Sequence, residues 1–243
     1  METQHYLDAL ARDSDALADA AEAAGPDAPV PPCPGWTVAD LMVHMVQGDR
    51  WARTIVESRS TDRVMPEMPA DAPTGAALVP YFRTGAQDLI ATLAAVPPDT
   101  SVWTFSPADR TAAFWCRRRT QETAVHRVDA QSAAGSVHPI DQALAVDGID
   151  EFLFTFLPRL AAGLTDVGDA TIHLHCTDVD GEWLIARAGD EVVVTREHAK
   201  GDVAARGTAS DLLLFLWGRV PESSLEVFGD AAVLGRFRAS IRV

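Results

Sequence analysis

Residues 114–129 read FWCRRRTQETAVHRVD, and this stretch contains two side chains that indicate a metal site, Glu122 and His126. Glu122 and His126 are four residues apart. On an α-helix, side chains with this spacing lie one above the other on the same face. The pair therefore places a carboxylate and an imidazole close to one point in space, which is half of a metal site.

His44 is the candidate for the other half. Thr37, followed by Asp40 three residues later, is a variant of the capping box that begins a helix. Four residues then follow at helical spacing: Leu41, His44, Gly48 and Trp51. We therefore expect His44 to point with the core-facing residues of this helix and not out to water.

Four helices are predicted in the first part of the chain. They cover residues 6–24, a segment that begins near Thr37, residues 75–96 and residues 111–134, the last closed by Gly135. Polar residues on the inward faces of such helices are typical of a metal site in a bundle core. Residues 62–74 are rich in Pro, Asp and Met, and we interpret them as a long surface loop that either covers a site or has no such role.

The pattern changes in the second part of the chain. One more helix is predicted over residues 142–160, and after it the hydrophobic period shortens to alternation. Strands are predicted at 170–176, 182–188, 191–196 and 203–206, with turns at Asp180-Gly181 and Gly189-Asp190, followed by helices at 210–218 and 230–240. The sequence thus predicts an α+β protein with a boundary near Val137 or His138: a helical domain over 1–137 and a small domain over 138–243.

Composition narrows the class of protein. The chain has 243 residues, 47% of them hydrophobic, and a formal net charge of −15. This charge argues against nucleic acid and anionic membranes as partners, so an anionic substrate would need a local arginine. The absence of a basic and apolar leader, and of any run of about 18 apolar residues, makes the cytoplasm the simplest compartment.

The cysteines and lysines add two weaker indications. Cys33, Cys116 and Cys176 are odd in number and widely spaced, which argues against a disulfide framework or a zinc ribbon. Lys200 is the single lysine in a chain rich in arginine and alanine, a bias that points to a GC-rich bacterial genome.

Two histidines and one glutamate form a set of three ligands that is typical of a catalytic zinc site. Three protein ligands leave the fourth position of a zinc ion open, as in catalytic sites, where zinc lowers the pKa of bound water to about 7 or holds a thiol as its thiolate. On spacing alone, two readings without a metal remain open. His44 could be a satisfied core histidine, and Glu122 could form an ion pair with Arg118 or Arg119.

Three segments resemble one known family. Residues 34–44 (PGWTVADLMVH), 122–130 (ETAVHRVDA) and 207–219 (GTASDLLLFLWGR) are similar to signatures of the mycothiol-dependent maleylpyruvate isomerase family. The resemblance implies a DinB-like four-helix bundle followed by a small α/β C-terminal domain with an antiparallel or mixed sheet. It also implies that His44, Glu122 and His126 bind a divalent metal, usually zinc, and that Arg219 faces the site from the C-terminal domain.

The resemblance also implies an activity. In that family the metal holds the sulfur of mycothiol, which adds to the cis double bond of an unsaturated diacid, permits rotation and leaves. We therefore expect a metal-dependent, mycothiol-using enzyme that acts on a small electrophilic or unsaturated acid, as a monomer or homodimer. Two alternatives are a mycothiol S-transferase and a non-catalytic metal or thiol sensor. For Arg219 the alternative is a surface arginine that neutralises a helix C-terminus.

Several other residues have two interpretations each. His173 and His175 alternate on one strand face and could form a second metal pair, although a half-exposed strand with polar residues facing water also explains them. Asp129 could orient an imidazole, but an exposed helix aspartate is the simpler reading. Cys33 is a fourth ligand, a redox thiol or a small half-buried side chain. Three tryptophans are interpreted first as core and second as pocket wall: Trp36, Trp51 and Trp115.

Overall fold

The structure is a computed structural model that describes residues 1–65, 67, 72–160, 164, 166–189 and 191–241. It divides into two compact units, Met1–His138 and Pro139–Val243. Residues 66 and 68–71 of the predicted 62–74 loop, and Asp190 of one predicted turn, lie outside the described residues. A lid role for that loop therefore stays a prediction.

The first unit contains four long helices, close to the predicted positions. They are α1 (Thr3–Ala24), α2 (Val38–Ser58), α3 (Leu78–Ala95) and α4 (Ala112–Ala134), and a 3-10 turn at Gly75–Ala77 precedes α3. Helix α1 packs on α4 and α3, while α2 packs on α3 and α4. Their core includes Leu17, Leu41, Met45 and Phe82. In the described part of the chain, no helix combines the length and apolarity that crossing a membrane requires.

Local sequence signals explain where these helices begin and end. The Thr37 side chain accepts a hydrogen bond from the Asp40 amide, and the Asp40 carboxylate accepts one from the Thr37 amide at 2.8 Å, so the predicted capping box is present. Gly135 ends α4 in the left-handed region with φ of 75°. Pro80 lies in the first turn of α3, where its missing N–H is not needed.

The second unit combines helices with a five-stranded mixed sheet. The strands are β1 (Ile172–Cys176), β2 (Glu182–Ala188), β3 (Glu191–Thr195), β4 (Val203–Gly207) and β5 (Glu226–Gly229), in the order β3-β2-β1-β4-β5. Strands β1 and β4 are parallel, and the other neighbours are antiparallel. The α+β fold class is thus confirmed, with a mixed sheet.

Two features of the second unit differ from the sequence prediction. The predicted helix over 142–160 is α5 (Gln142–Glu151), a π-helical turn at Phe152–Phe156 and α6 (Leu157–Leu160). Strand β5 was not predicted, because it has only four residues on an edge of the sheet and little hydrophobic alternation. The remaining helices are α7 (Ala209–Leu216) and α8 (Ala231–Ser240), with a 3-10 turn at Glu222–Ser224 between them.

A buried ion pair joins α2 to α4. The Arg119 Nε donates to Asp49 Oδ1 at 3.0 Å, and the two side chains are 2% and 3% exposed. The Arg119 Nη1 also donates to Glu122 Oε2 at 2.6 Å. Removing one partner of such a pair leaves an uncompensated buried charge, which typically costs about 3–5 kcal/mol. This guanidinium therefore fixes both the approach of the two helices and the position of Glu122.

Gly48 makes room for that guanidinium. It lies in α2, and a Cβ at this position would overlap Arg119 Nη1. Because Arg119 is held between two carboxylates, its head group cannot move aside without breaking an ion pair. We expect Gly48→Ala to lower the free energy of unfolding by about 1–3 kcal/mol, although alanine is the better helix former.

Gly85→Ala in α3 is the matched control, since a Cβ there meets nothing within 4 Å. This variant should raise the free energy of unfolding by up to about 1 kcal/mol. Urea denaturation followed by far-UV circular dichroism measures both values. Equal stabilisation by the two substitutions would contradict the role assigned to Gly48.

Candidate metal centre

The three predicted ligands come together in the first unit. His44 lies on α2, Glu122 and His126 lie on α4, and one ligand atom from each falls within 4.8 Å of the other two. His44 Nε2 is 3.0 Å from Glu122 Oε1. The two imidazole rings meet edge-on, with centroids 4.8 Å apart. Residues 78 positions apart in sequence thus converge on one point.

His44 is half-buried, with 36% of its side chain exposed. The prediction that it points with the core-facing residues is therefore correct only in part. Its ring lies between the helix interior and solvent, so the cluster that it forms with Glu122 and His126 is partly exposed to solvent. A fully buried core histidine does not describe this position.

The two oxygens of Glu122 have different partners. Oε2 lies 2.6 Å from Arg119 Nη1 and 3.5 Å from Arg118 Nε, whereas Oε1 faces His44. Burial acts to raise the pKa of Glu122, but the charge of Arg119 and the hydrogen bond from His44 outweigh it and hold this pKa well below its ordinary value. Glu122 is therefore ionised. The ion pairs that were expected for a site without a metal are therefore present, but they occupy Oε2 alone. Oε1 stays directed at His44.

His126 is oriented by a buried carboxylate. Its Nδ1 is 2.8 Å from Asp129 Oδ2, and Asp129 has no exposed surface. The simpler sequence reading, an exposed helix aspartate, is therefore wrong. In the tautomer that carries its proton on Nδ1, His126 donates to Asp129 and keeps Nε2 as the ligand atom. Burial lowers the pKa of His126 from its ordinary value, and this favours the neutral imidazole that a metal requires.

Cys33 and the tryptophans surround the cluster without joining it. The Cys33 thiol donates to Asp129 Oδ2 at 3.4 Å, and among the described residues the ligand group that contains His44 does not include this sulfur. The ring of Trp36 lies 5.3 Å from that of His44 and is stacked 6.5 Å from that of His126, so it forms a wall of the site. Trp51 and Trp115 pack together at 5.0 Å, and Trp115 is buried, as expected for core residues.

Arg219 follows the end of α7 in the second unit. Its Nη1 donates to the carbonyl oxygen of Trp217 at 2.7 Å, which is the contact expected of an arginine that neutralises a helix C-terminus. This contact agrees with the alternative reading of the residue. Its role in binding a substrate carboxylate stays a prediction.

The sequence pattern predicts neither the role of Asp49 nor which of Arg118 and Arg119 pairs with Glu122. One available signal was the composition of α4. Its charged residues fall on all sides, while most of the helix is buried, including Arg119, Arg127 and Asp129. Charged residues are almost never fully buried unless they are paired, so a central polar helix implies partners on its neighbours.

Comparisons with known proteins cover most of the chain. The model of the mycothiol maleylpyruvate isomerase N-terminal domain matches residues 7–131, and that of the MDMPI C-terminal domain matches residues 143–236. Among solved structures, the crystal structure of the mycothiol-dependent maleylpyruvate isomerase is similar at 14% sequence identity and a TM-score of 0.61, with 93% of each chain covered. A mutant of that enzyme gives 13% identity with the same coverage and TM-score.

No curated protein matches the sequence. At 13–14% identity, the likeness to the solved structures shows the fold alone. The two domain models, which lie in order along the chain, carry the assignment of the family. The chain belongs to the mycothiol-dependent maleylpyruvate isomerase family.

Proposed function

We propose that this protein is a metal-dependent enzyme that uses mycothiol as a thiol cosubstrate and acts on a small electrophilic or unsaturated acid. The observation that carries the proposal is the convergence of His44, Glu122 and His126, whose ligand atoms lie within 4.8 Å of one another. The family supports it, since the solved relative is by name a mycothiol-dependent maleylpyruvate isomerase.

The donor set fits a zinc ion. Two imidazoles and one carboxylate are ligands that zinc takes in catalytic sites, where three protein ligands leave one position open. The hydrogen bond from His126 to Asp129 is the outer contact that usually accompanies a metal-bound histidine. The ionised Glu122 and the neutral His126 both have the protonation state that binding needs.

A zinc ion in this site would supply a Lewis acid that holds a thiol as its thiolate at neutral pH. The chain's own residues have separate tasks. Arg119 holds Glu122 by one oxygen, Asp129 holds the Nδ1 proton of His126, and Trp36 shields the two imidazoles on one side. Because the net charge of −15 repels anions at long range, an acidic substrate needs a dedicated guanidinium, and the resemblance to the family implies Arg219 for that task.

Two reactions follow from the same thiolate, and they differ in the fate of the thiol. In isomerisation a carbon–sulfur bond forms at one end of a cis double bond, the resulting single bond rotates, and the sulfur leaves as the double bond re-forms. Substrate and product then have equal mass, and mycothiol is regenerated. In S-transfer the carbon–sulfur bond remains, because the neighbouring carbon takes up the thiol proton or a leaving group departs with its electron pair, and one thiol is consumed for each product molecule.

Zinc content tests the site. We expect His44→Ala to lower the zinc content of untagged, zinc-replete protein by one ion per chain, because the variant lacks one of three ligands. His138→Ala is the matched control, since His138 is exposed and belongs to neither ligand cluster of the described residues. Elemental analysis after dialysis measures the difference. Equal zinc content in wild type and His44→Ala would refute the site.

Asp129→Asn tests the contact between His126 Nδ1 and the Asp129 carboxylate. The amide keeps the size of the side chain but removes the charge that holds the Nδ1 proton of His126. We expect zinc affinity to fall by about 10–100-fold, as is typical when such a partner is lost. Competition with a chromophoric chelator measures the affinity, and Asp27→Asn, on an exposed loop, is the control. An affinity that Asp129→Asn leaves unchanged would show that this carboxylate does not support a ligand.

A screen of mycothiol against unsaturated acids and other electrophiles tests the activity. We expect turnover in wild type that depends on mycothiol and is lost in His44→Ala. Thiol loss together with product mass then separates isomerisation from S-transfer. Arg219→Ala should raise KM for acidic substrates and leave neutral electrophiles unaffected, whereas a merely structural arginine would alter both or neither. Zinc binding without turnover on any substrate would instead identify a sensor.

A further inference from the structure

We propose that the second unit holds another metal site, formed by His173, His175, Glu182 and His198, which takes a divalent transition metal of the zinc type. One ligand atom from each of these residues lies within 4.8 Å of the others. The cluster shares no residue with the candidate centre on α2 and α4. The proposal of this second site is therefore independent of the proposed enzymatic function.

Three segments of the chain bring these side chains together. His173 and His175 are two residues apart on β1, so they project from the same face of the sheet. Glu182 begins β2 and is the cross-strand partner of His175 in the antiparallel register. His198 lies in the connection between β3 and β4. Three of the seven histidines of the chain thus meet around one carboxylate.

Both oxygens of Glu182 are engaged by imidazoles. Oε1 is 2.9 Å from His175 Nδ1, while Oε2 is 3.2 Å from His173 Nε2 and 2.6 Å from His198 Nδ1. The three rings surround the carboxylate with centroids 5.7–6.4 Å apart. Each imidazole therefore presents a nitrogen toward the same small volume.

A strand with polar residues facing water does not account for this arrangement. The His173 side chain is only 8% exposed, so it does not face solvent. His198 is 82% exposed and gains little from an ion pair in water, yet it lies on the same carboxylate oxygen as His173. A shared metal ion explains why a buried histidine and an exposed one converge on one point.

The surroundings also favour a cation. The cluster borders an open cleft of about 700 Å³, whose lining includes the acidic residues Asp178, Asp180 and Glu197. The one arginine of that lining, Arg196, has its Nε 3.1 Å from Asp150. Imidazole-rich sets with one carboxylate suit zinc and its neighbours in the first transition row.

The number of ligands indicates the role. Four protein ligands complete the tetrahedral shell of zinc and leave no position for a substrate, as in structural sites. The metal would hold the connection between β3 and β4, which contains His198, against strands β1 and β2. Binding to the folded state alone would then raise the stability of the protein with zinc concentration.

The test uses the full chain in a His44→Ala background, which removes a ligand of the first candidate centre. Zinc alone is titrated by calorimetry, and the thermal midpoint is recorded with and without zinc. We expect one zinc ion to bind and to raise the midpoint. Adding His198→Ala, which changes an exposed side chain, or Glu182→Gln should weaken binding by at least about tenfold, since even outer contacts of a metal are worth about 10–100-fold. Adding His138→Ala is the matched control and should change nothing.

Two results would overturn the second site. One is a His44→Ala protein that binds no zinc in stoichiometric titration, and the other is binding that both His198→Ala and Glu182→Gln leave unchanged. The outcomes also separate the two sites. If the first site fails and the second holds, wild type and His44→Ala bind the same single zinc, and His198→Ala weakens it. If only the first holds, His44→Ala removes all zinc.

Discussion

The candidate centre of the first unit depends on one buried guanidinium. Arg119 lies between Asp49 on α2 and Glu122 on α4, and almost none of its surface is exposed. Burial acts to lower the pKa of Arg119, but the two carboxylates raise it above its ordinary value, so the charge persists inside the protein. The same contacts hold one oxygen of Glu122 and leave the other facing His44. Position 48 has room only for a glycine, because the Arg119 guanidinium lies where a Cβ atom would be.

Both units use a glutamate whose two oxygens are divided between partners. In the first unit, Glu122 places one oxygen on arginines and the other on a histidine, which matches a site with three ligands and an open position. In the second, Glu182 places both oxygens on histidines, which matches a closed site with four ligands. The difference in ligand number suits the two roles we propose, binding of a thiol in one unit and stabilisation of a connection in the other.

Local signals in the sequence predicted much of the fold. The Thr37 capping box, the glycine after α4 and the change of hydrophobic period near residue 170 each depend on neighbours in sequence, and each is present in the structure. The pairing of Glu122 with His126 was accessible because helical geometry converts spacing into proximity. Asp49 and His198 were not accessible, since their positions depend on packing between distant segments. The segments that form the π-helical turn and the short edge strand β5 have no distinct hydrophobic pattern in the sequence.

X-ray absorption at the zinc edge of the full chain identifies the atoms that bind zinc in the first unit. A His198→Ala background, which weakens the second site, with zinc added at one equivalent, favours occupation of the centre formed by His44, Glu122 and His126. We expect a first shell of nitrogen and oxygen that includes two imidazoles, and the appearance of one sulfur at about 2.3 Å when mycothiol is added. A shell that mycothiol leaves unchanged, or zinc without imidazole ligands, would contradict the proposed centre.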